Sequence, residues 1–436
     1  MAVVPVITDP LADSIELFGR DIDPANPPVG IALRRHLGLL TAEKLDGQVV
    51  HNARFRAESH GAKASGRSHL YETRATKTPG GDYLLMFPDG GHYGGMTRRT
   101  RQTGYRKVND LLAYRSPDKG NTWYGPTIPI EIDYDLHGFV PLIPKDSKRI
   151  YCFGTQAILD RMSMRPGLHE NAPIGFRYSD DDGYTWSDVT LIHPENDPDF
   201  TGMSVMRMCE TDRGTWIIGA HDGDWDGSLV THQYMLRSDD RGATWRVFPE
   251  KRPNGWQGKA FPRMDESRPV ALGNGKVLVL SRTCDGQLWT FRSDDDGLTW
   301  TEPRPTSMVH PDAPPMVFPL SDGTLASFHH NRVPEVQGDK ADGTERIRSS
   351  HTVRGELWVS FSRDEGESWR EPRFVLACAL APVFETAFIN YACSYLDAFE
   401  DDGILNMFLP FRWHHVLHMQ IRESDLMQLP VESDLP

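Results

Sequence analysis

Pairs of short apolar runs recur along this chain, and each pair flanks a tight polar turn. Four of the six turns contain Gly-Gly, Asn-Gly or Asp-Gly, in which a positive φ costs little. Apolar runs on both sides of such turns are a strong short-range signal for a β-hairpin. The six predicted hairpins span residues 69–92, 137–156, 203–221, 266–282, 315–332 and 391–412.

Between these hairpins the chain repeats the motif Ser-x-Asp-x-Gly-x-x-Trp five times, at intervals of 55 to 69 residues. Its Ser and Asp side chains can bond the backbone of a turn, and its Gly accepts a positive φ. We expect the Trp ring to pack beneath the turn with its N–H bonded. The five copies begin at Ser116, Ser179, Ser238, Ser293 and Ser362.

The spacing suits one four-stranded antiparallel unit per repeat, which predicts an all-β, six-bladed β-propeller. Each predicted hairpin forms the inner half of a blade, and each repeated motif closes the outer half. The sixth blade lacks the motif, so the N-terminal segment is expected to supply its outermost strand and close the ring. Residues 1–436 are therefore predicted to form a single domain.

Composition narrows the possible functions. A formal net charge of −14 argues against a general binder of nucleic acid or of anionic membranes, although a local group of arginines can still attract an anionic ligand. The five scattered cysteines favour buried thiols. We see no secretory signal and no apolar run of membrane-spanning length, which predicts a cytoplasmic protein. No spacing typical of a metal or cofactor site appears, so neither is predicted.

The repeated motif resembles the Asp-box, or bacterial neuraminidase repeat, of the sialidase superfamily. In that family the Asp-boxes lie on outer hairpins, remote from an active centre that clamps a carboxylated sugar with arginines. The resemblance proposes Glu266 as the glutamate that activates the nucleophile, and Arg282 and Arg354 as clamp arginines. The nucleophile region resembles residues 391–395, which proposes Tyr391 or Tyr395.

Two parts of the family pattern are absent. Glu72 stands where the first clamp arginine belongs, and Arg74 is two residues out of register. Residues 91–107 contain no Asp or Glu, although the family places its acid there. This basic, Gly-rich segment is instead predicted to form a lid or rim that attracts an anionic glycan.

In each hairpin, the start of the first strand lies beside the end of the second strand. We therefore expect these strand ends, from all the blades, to line one mouth of the central channel. Polar side chains converge at this mouth from different blades, which is typical of a ligand site. Strand starts contribute Glu72, Arg74, His137, Glu266, Arg268, Asp312 and Tyr391, and strand ends contribute His92, Gln156, His221, Asp222, Arg282, His330, Arg332, Arg412 and His414.

Three functions fit this mouth. The first is a glycosidase that hydrolyses a terminal carboxylated sugar with Glu266 and a tyrosine, its substrate held by the arginines. The second is a lyase that cleaves a uronate glycan by β-elimination, with His137 or His221 as base. The third is a glycan-binding propeller without catalysis. The sequence leaves the sugar, the linkage and the oligomeric state open.

Overall fold

Six antiparallel sheets follow one another along the chain, and each is built around one of the hairpins expected from the sequence. The structure is a computed structural model that describes residues 13–17, 20–52, 69–70, 72–90, 109–130, 139–155, 171–203, 205–224, 229–250, 254–334, 350, 353–379, 393–412 and 415–435. The chain is a six-bladed β-propeller with repeated Asp-boxes, which confirms the predicted fold class.

The first three blades run in chain order. Blade 1 consists of β6 (His69–Leu70), β7 (Arg74–Lys77), β8 (Tyr83–Gly90), β9 (Asn109–Ser116) and β10 (Tyr124–Thr127). Blade 2 consists of β11 (Val140–Leu142), β12 (Ile150–Thr155), β13 (Ile174–Ser179) and β14 (Thr190–Leu191). Blade 3 consists of β15 (Met208–Glu210), β16 (Trp216–Asp224), β17 (Val230–Ser238) and β18 (Arg246–Phe248).

The last three blades include strands from the N-terminal part of the chain. Blade 4 consists of β19 (Asp265–Gly273), β20 (Lys276–Arg282), β21 (Gln287–Ser293) and β22 (Arg304–Val309). Blade 5 consists of β23 (Met316–Pro319), β24 (Leu325–His329), β25 (Glu356–Ser362) and β26 (Arg373–Cys378), extended by β4 (Leu39–Ala42) and β3 (Ile31–Arg34). Blade 6 consists of β27 (Asp397–Asp401), β28 (Ile404–Phe411), β29 (His415–Arg422) and β5 (Asp46–Asn52).

Strand β5 is the outermost strand of blade 6 and pairs with β29, so the two ends of the propeller chain meet in one sheet. Outside the blades lie the hairpin of β1 (Ile15–Leu17) and β2 (Arg20–Ile22), the helix α1 (Glu423–Leu426) and a 3₁₀ turn at Glu432–Asp434. Buried apolar side chains pack within the blades and between neighbouring blades. This packing holds the strand ends in fixed positions around the central channel.

The five Asp-boxes have one common hydrogen-bond pattern. In each box the Ser hydroxyl donates to the Asp carboxylate at 2.7–2.8 Å and accepts the Gly N–H at 2.8 Å. The boxes are therefore turn-stabilising elements, as expected. The tryptophans differ from expectation: the indole of Trp245 donates to the Gly242 carbonyl at 3.1 Å, whereas four buried indole N–H groups have no acceptor among the described residues. They belong to Trp123, Trp186, Trp300 and Trp369.

The Asp-boxes lie at the opposite end of the blades from the predicted mouth. In blade 4, Ser293 pairs with Val277 near the start of β20, whereas Arg282 at the far end of β20 pairs with Asp265. Five residues of extended chain separate Val277 from Arg282, which is roughly 17 Å. The boxes therefore stabilise the blades without contributing to the mouth.

Replacing Ser238 with alanine is expected to lower the free energy of unfolding by about 1–3 kcal/mol, because the buried Gly242 N–H loses its acceptor. Chemical denaturation would measure the change. Thr244→Ala is the matched control, since it removes an exposed hydroxyl that bonds the same Asp240 carboxylate. Equal stability of the two variants would contradict this account of the Asp-box.

Candidate active site

Three polar residues occupy equivalent positions in three different blades at the mouth. Each lies two residues before a charged residue of the innermost strand of its blade. Glu72, Glu266 and Tyr395 have φ angles of 57°, 48° and 63°, in the left-handed region that non-glycine residues rarely adopt. Such a conformation costs on the order of 1–3 kcal/mol and persists only where the surrounding structure enforces it. This shared conformation places one side chain from each of blades 1, 4 and 6 at the same level of the channel.

Tyr395 and Glu266 form a direct pair, since the Tyr395 hydroxyl donates to Oε1 of Glu266 at 2.9 Å. Oε2 of the same carboxylate is held by Nη1 of Arg282. Burial and the charge of Glu266 raise the pKa of Tyr395 well above its ordinary value. The phenol is therefore protonated at neutral pH, and the Glu266 carboxylate is placed to accept its proton.

Neighbouring blades fix the backbone around Tyr395. The Thr73 hydroxyl lies 3.2 Å from the Tyr395 carbonyl and 3.0 Å from that of Phe408. The Ser394 hydroxyl lies 3.0 Å from Nε2 of His330, whose Nδ1 lies 2.8 Å from a backbone carbonyl and donates to it. Burial lowers the pKa of His330 to about 3, so the ring is neutral and its Nε2 accepts a hydrogen bond from the Ser394 hydroxyl. His330 thus supports the residue next to Tyr395.

Three arginines converge on Asp312, in the connection between blades 4 and 5. Nε and Nη2 of Arg282 bind the two Asp312 carboxylate oxygens at 2.7 and 2.8 Å, and Nε of Arg263 binds the same carboxylate at 3.0 Å. Arg263 also binds Asp265 at 3.0 Å. Arg354 donates to the Asp312 backbone carbonyl, so Asp312 holds all three guanidinium groups together.

The two aspartates of this cluster have opposite pKa shifts. Burial by itself would raise the pKa of Asp312, but Arg263 and Arg282 outweigh burial and hold that pKa well below its usual range. Burial raises the pKa of Asp265 to about 6, although the same two arginines oppose the shift. Asp312 is therefore the permanent counter-ion of the cluster, and Asp265 is protonated first as the pH falls.

A second level of charges lies one strand step deeper in the channel, because side chains two residues apart share a face of a strand. Nη1 of Arg207 binds Asp397 at 2.8 Å, and Nη1 of Arg268 lies 3.8 Å from the same carboxylate. Nη2 of Arg74 lies 3.9 Å from Oε2 of Glu72 in the level above. Burial and the charge of Arg74 lower the pKa of Arg268 to about 9, so this level is rich in positive charge.

The remaining predicted residues fall into two groups. His221 is buried beside Glu266, whose backbone N–H points to its Nδ1 at 3.5 Å, and Arg412 is buried at the end of β28 with a φ of 55°. Asp222 lies 2.9 Å from Nδ1 of His232, and Arg332 binds Glu356 at 3.2 Å. Five further predicted residues lie outside the described residues: His92, His137, Gln156, Tyr391 and His414.

Sequence reasoning assigned no role to four charged residues that build the site, Arg207, Arg263, Asp265 and Asp397, and treated Asp312 only as a polar strand start. Asp397 could have been found from the sequence, because it follows Tyr395 by two residues and alternate residues of a strand point to the same face. No sequence signal connects Arg263 or Asp312 with Arg282, because the three meet only when blades 4 and 5 pack together.

No disulfide joins the five cysteines. Among the described residues, no group of three His, Cys, Asp or Glu side chains is arranged to hold a metal ion. In the same part of the chain, no helix is long and apolar enough to span a membrane.

The site lies at the channel mouth of a propeller with sialidase-superfamily architecture. Residues 162–407 match the model of the BNR repeat-like domain, which is more than half of the chain, and the protein therefore belongs to this family. The match includes Glu266, Arg282, Arg354 and Tyr395, and it confirms the resemblance inferred from the Asp-boxes.

Solved structures with the same fold include both uncharacterised and enzymatic proteins. A protein of unknown function from Dyadobacter fermentans is 15% identical, with a TM-score of 0.58 over 87% of this chain and 99% of that chain. Hadza microbial sialidase Hz136 is 18% identical, with a TM-score of 0.55 over 83% and 66% of the two chains. The leech intramolecular trans-sialidase, in complex with 2,7-anhydro-Neu5Ac, is 14% identical, with a TM-score of 0.55 over 87% and 71%. At these identities the similarity shows the fold.

Proposed function

We propose that this protein is an exo-glycosidase that hydrolyses a terminal acidic sugar at the channel mouth, with Tyr395 as nucleophile. The observation that carries the proposal is the 2.9 Å hydrogen bond between the Tyr395 hydroxyl and Glu266. A tyrosine nucleophile is the sialidase exception to glycoside hydrolysis by two carboxylates. The sialidases with this fold are consistent with the proposal.

The pair supplies nucleophile and base in one contact. As the Tyr395 oxygen attacks the anomeric carbon, its proton passes to Oε1 of Glu266 along the existing hydrogen bond. Arg282 binds the other carboxylate oxygen and so orients Glu266 before the attack. The negative charge of Glu266 then favours the positive charge that develops on the sugar ring in the transition state.

The charge of the site favours an anionic sugar. Among the described residues, the two levels contain six arginines and five carboxylates, an excess of positive charge in a chain of net charge −14. Nε of Arg354 is buried and has no acceptor in this part of the chain. Burial and the charge of Arg282 lower the pKa of Arg354, so a carboxylate placed against it would be stabilised.

One panel of substrates tests the reaction class. The protein would be incubated with nitrophenyl glycosides and oligosaccharides of glucuronic, galacturonic and N-acetylneuraminic acid. The formation of new reducing ends and the absorbance near 235 nm would be measured. Release of sugar without a rise in absorbance supports hydrolysis. A rise in absorbance would show an unsaturated uronate and replace the proposal by the lyase alternative. Binding without turnover would leave a glycan-binding propeller.

Replacing Arg354 with glutamine is expected to lower kcat/KM on a carboxylated glycoside by about 10- to 100-fold, because a charge-assisted hydrogen bond contributes about 1.5–3 kcal/mol. The same variant should change kcat/KM little on the matched glycoside in which an alcohol replaces the carboxylate. The pair of substrates provides the control. Equal losses on both would contradict the role of Arg354 in binding the carboxylate.

A further inference from the structure

A second group of charged side chains lies below the mouth and takes no part in the proposed hydrolysis. Among the described residues, this deeper level contains three arginines, Arg74, Arg207 and Arg268, and one carboxylate, Asp397. We propose that these side chains form a binding site for one small monovalent anion, of which chloride is the simplest example. The site does not depend on the proposed glycosidase, because an anion can occupy it without a substrate.

Four different blades supply the charges of this level. Arg74 lies in β7 of blade 1, and Arg268 lies in β19 of blade 4. Asp397 begins β27 of blade 6, and Arg207 directly precedes β15 of blade 3. Arg74, Arg268 and Asp397 are at most 1% exposed. An anion among them would therefore be enclosed by the channel and withdrawn from water.

The charges of this level do not balance. Oδ2 of Asp397 accepts a hydrogen bond from Nη1 of Arg207 at 2.8 Å. Nη1 of Arg268 lies 3.8 Å from Oδ1 of the same carboxylate, which is beyond hydrogen-bonding distance. Even when Glu72, 3.9 Å from Arg74 in the level above, is counted as charged, three guanidinium groups of the described residues face two carboxylates. One monovalent anion would neutralise the remaining charge.

Two buried arginines have N–H groups without an acceptor in the part of the chain that the structure describes. They are Nε and Nη2 of Arg268 and Nε of Arg74. Nη1 of Arg268 contacts Sδ of Met316, and Nη2 of Arg74 lies 3.6 Å from Sδ of Met206. A thioether sulfur is a weak and uncharged acceptor. A buried donor without an acceptor is destabilising, so an anion that accepts these N–H groups would be bound by charge-assisted hydrogen bonds.

The two guanidinium groups lie close enough to repel each other. Burial and then the charge of Arg74 lower the pKa of Arg268 to about 9, and Arg207 acts in the same direction. Asp397 opposes this shift without cancelling it. An anion beside Arg74 and Arg268 would favour the charged form of both side chains. It would also hold together the innermost strands of blades 1 and 4.

Depth separates this site from the sugar. Each of the two buried arginines lies two residues after a glutamate of the mouth, which is roughly 6.6 Å of extended chain. A sugar whose anomeric carbon bonds Tyr395 would keep its carboxylate at the mouth, where Arg354 is proposed to bind it. The deeper arginines would therefore bind a separate anion. A spherical halide suits them, because it can accept N–H groups from several directions and carries only one charge.

The stability of the wild-type protein in two salts tests the proposal. Thermal denaturation would be followed at constant pH and ionic strength while sodium chloride replaces sodium gluconate, whose anion is too large for an enclosed site. Chloride is expected to raise Tm by at least about 2 °C with a saturating dependence on concentration, because only the folded protein has the site. Crystals grown in sodium bromide should show anomalous scattering beside the Arg268 guanidinium.

Arg268→Met removes the donors without an acceptor and should lose most of the chloride effect. Arg237→Met is the matched control, because Arg237 is also buried but lies at the Asp-box end of blade 3. Its donors bind the Asp296 carbonyl and the Asp239 carboxylate, each at 2.8 Å. This control should be less stable than the wild-type protein in both salts and should retain the full chloride effect.

Equal stability of the wild-type protein in chloride and gluconate, or bromide bound only on the outer surface of the crystallised protein, would overturn the proposal. A chloride effect that Arg268→Met retains would place the anion elsewhere and would overturn it as well. If Arg268→Met folds poorly, the wild-type titration and the bromide crystal still decide. None of these measurements uses a substrate, so their failure would leave the proposed glycosidase in place, and halide binding without glycoside cleavage would contradict the glycosidase alone.

Discussion

Replacing Tyr395 with phenylalanine is expected to reduce hydrolysis of every glycosidic substrate by at least about a thousandfold. The variant removes the proposed nucleophilic oxygen and the hydroxyl that donates to Glu266. Members of a nucleophile–base pair act as a unit, so Glu266→Gln should cost about as much, and the double variant little more. Single-turnover kinetics on a nitrophenyl glycoside would measure all three losses.

A comparison with Tyr391 decides which of the two tyrosines suggested by the sequence is the nucleophile. Tyr391→Phe should retain activity, because the tyrosine bonded to Glu266 is Tyr395. Mass spectrometry of the wild-type protein trapped with a fluorinated sugar should find the label on the peptide that contains Tyr395. Label on Tyr391, or activity of Tyr395→Phe near that of the wild-type protein, would refute the assignment.

The backbone explains why the sequence left this choice open. Tyr395 reaches Glu266 only because its φ is 63°, a conformation that no pattern of neighbouring residues predicts for tyrosine. Contacts from other blades maintain it, including the Thr73 hydroxyl and the His330–Ser394 hydrogen bond. Such contacts join residues more than 60 positions apart in the chain.

The fold itself was predictable, because its signals are local. Asp-Gly and Asn-Gly turns mark the inner hairpins, and the Asp-box specifies its own hydrogen bonds within eight residues. The pairing of Asp265, next to Glu266, with Arg282 also follows from one hairpin, which is why both candidate residues could be proposed from the sequence.

The ion pairs of the site were not predictable in the same way. Asp312 enters the site from the connection between blades 4 and 5, and its task depends on Arg263 and Arg282 arriving from blade 4. In the sequence it is one polar residue among many at a strand start. Only the packed structure shows that a carboxylate of the chain itself neutralises two of the arginines at the mouth.

Replacing Asp312 with asparagine is therefore expected to destabilise the protein by about 3–5 kcal/mol, because Arg263 and Arg282 would be left as buried charges without their common counter-ion. Chemical denaturation at neutral pH would measure the loss. The Asp312→Asn substitution should also lower the proposed glycosidase activity, because Asp312 holds Arg282 and Arg282 orients Glu266.

Asp180→Asn is a closely matched control. Nε and Nη2 of Arg149 bind Asp180 at 2.7 and 2.8 Å, the same two atoms and distances by which Arg282 binds Asp312. The Arg149 pair is exposed, and exposed ion pairs contribute little to stability. The difference between the two variants would therefore isolate the effect of burial, and similar losses would contradict it.

The pH dependence of the loss identifies its cause. The folded pKa of Asp312 lies well below its unfolded value, so its ion pairs contribute fully to stability above the unfolded pKa of about 3.9. That contribution falls as the pH drops from this value toward the folded pKa. The difference in unfolding free energy between wild type and Asp312→Asn should thus shrink below about pH 4. A difference that does not change with pH down to pH 2 would indicate altered packing rather than a lost counter-ion.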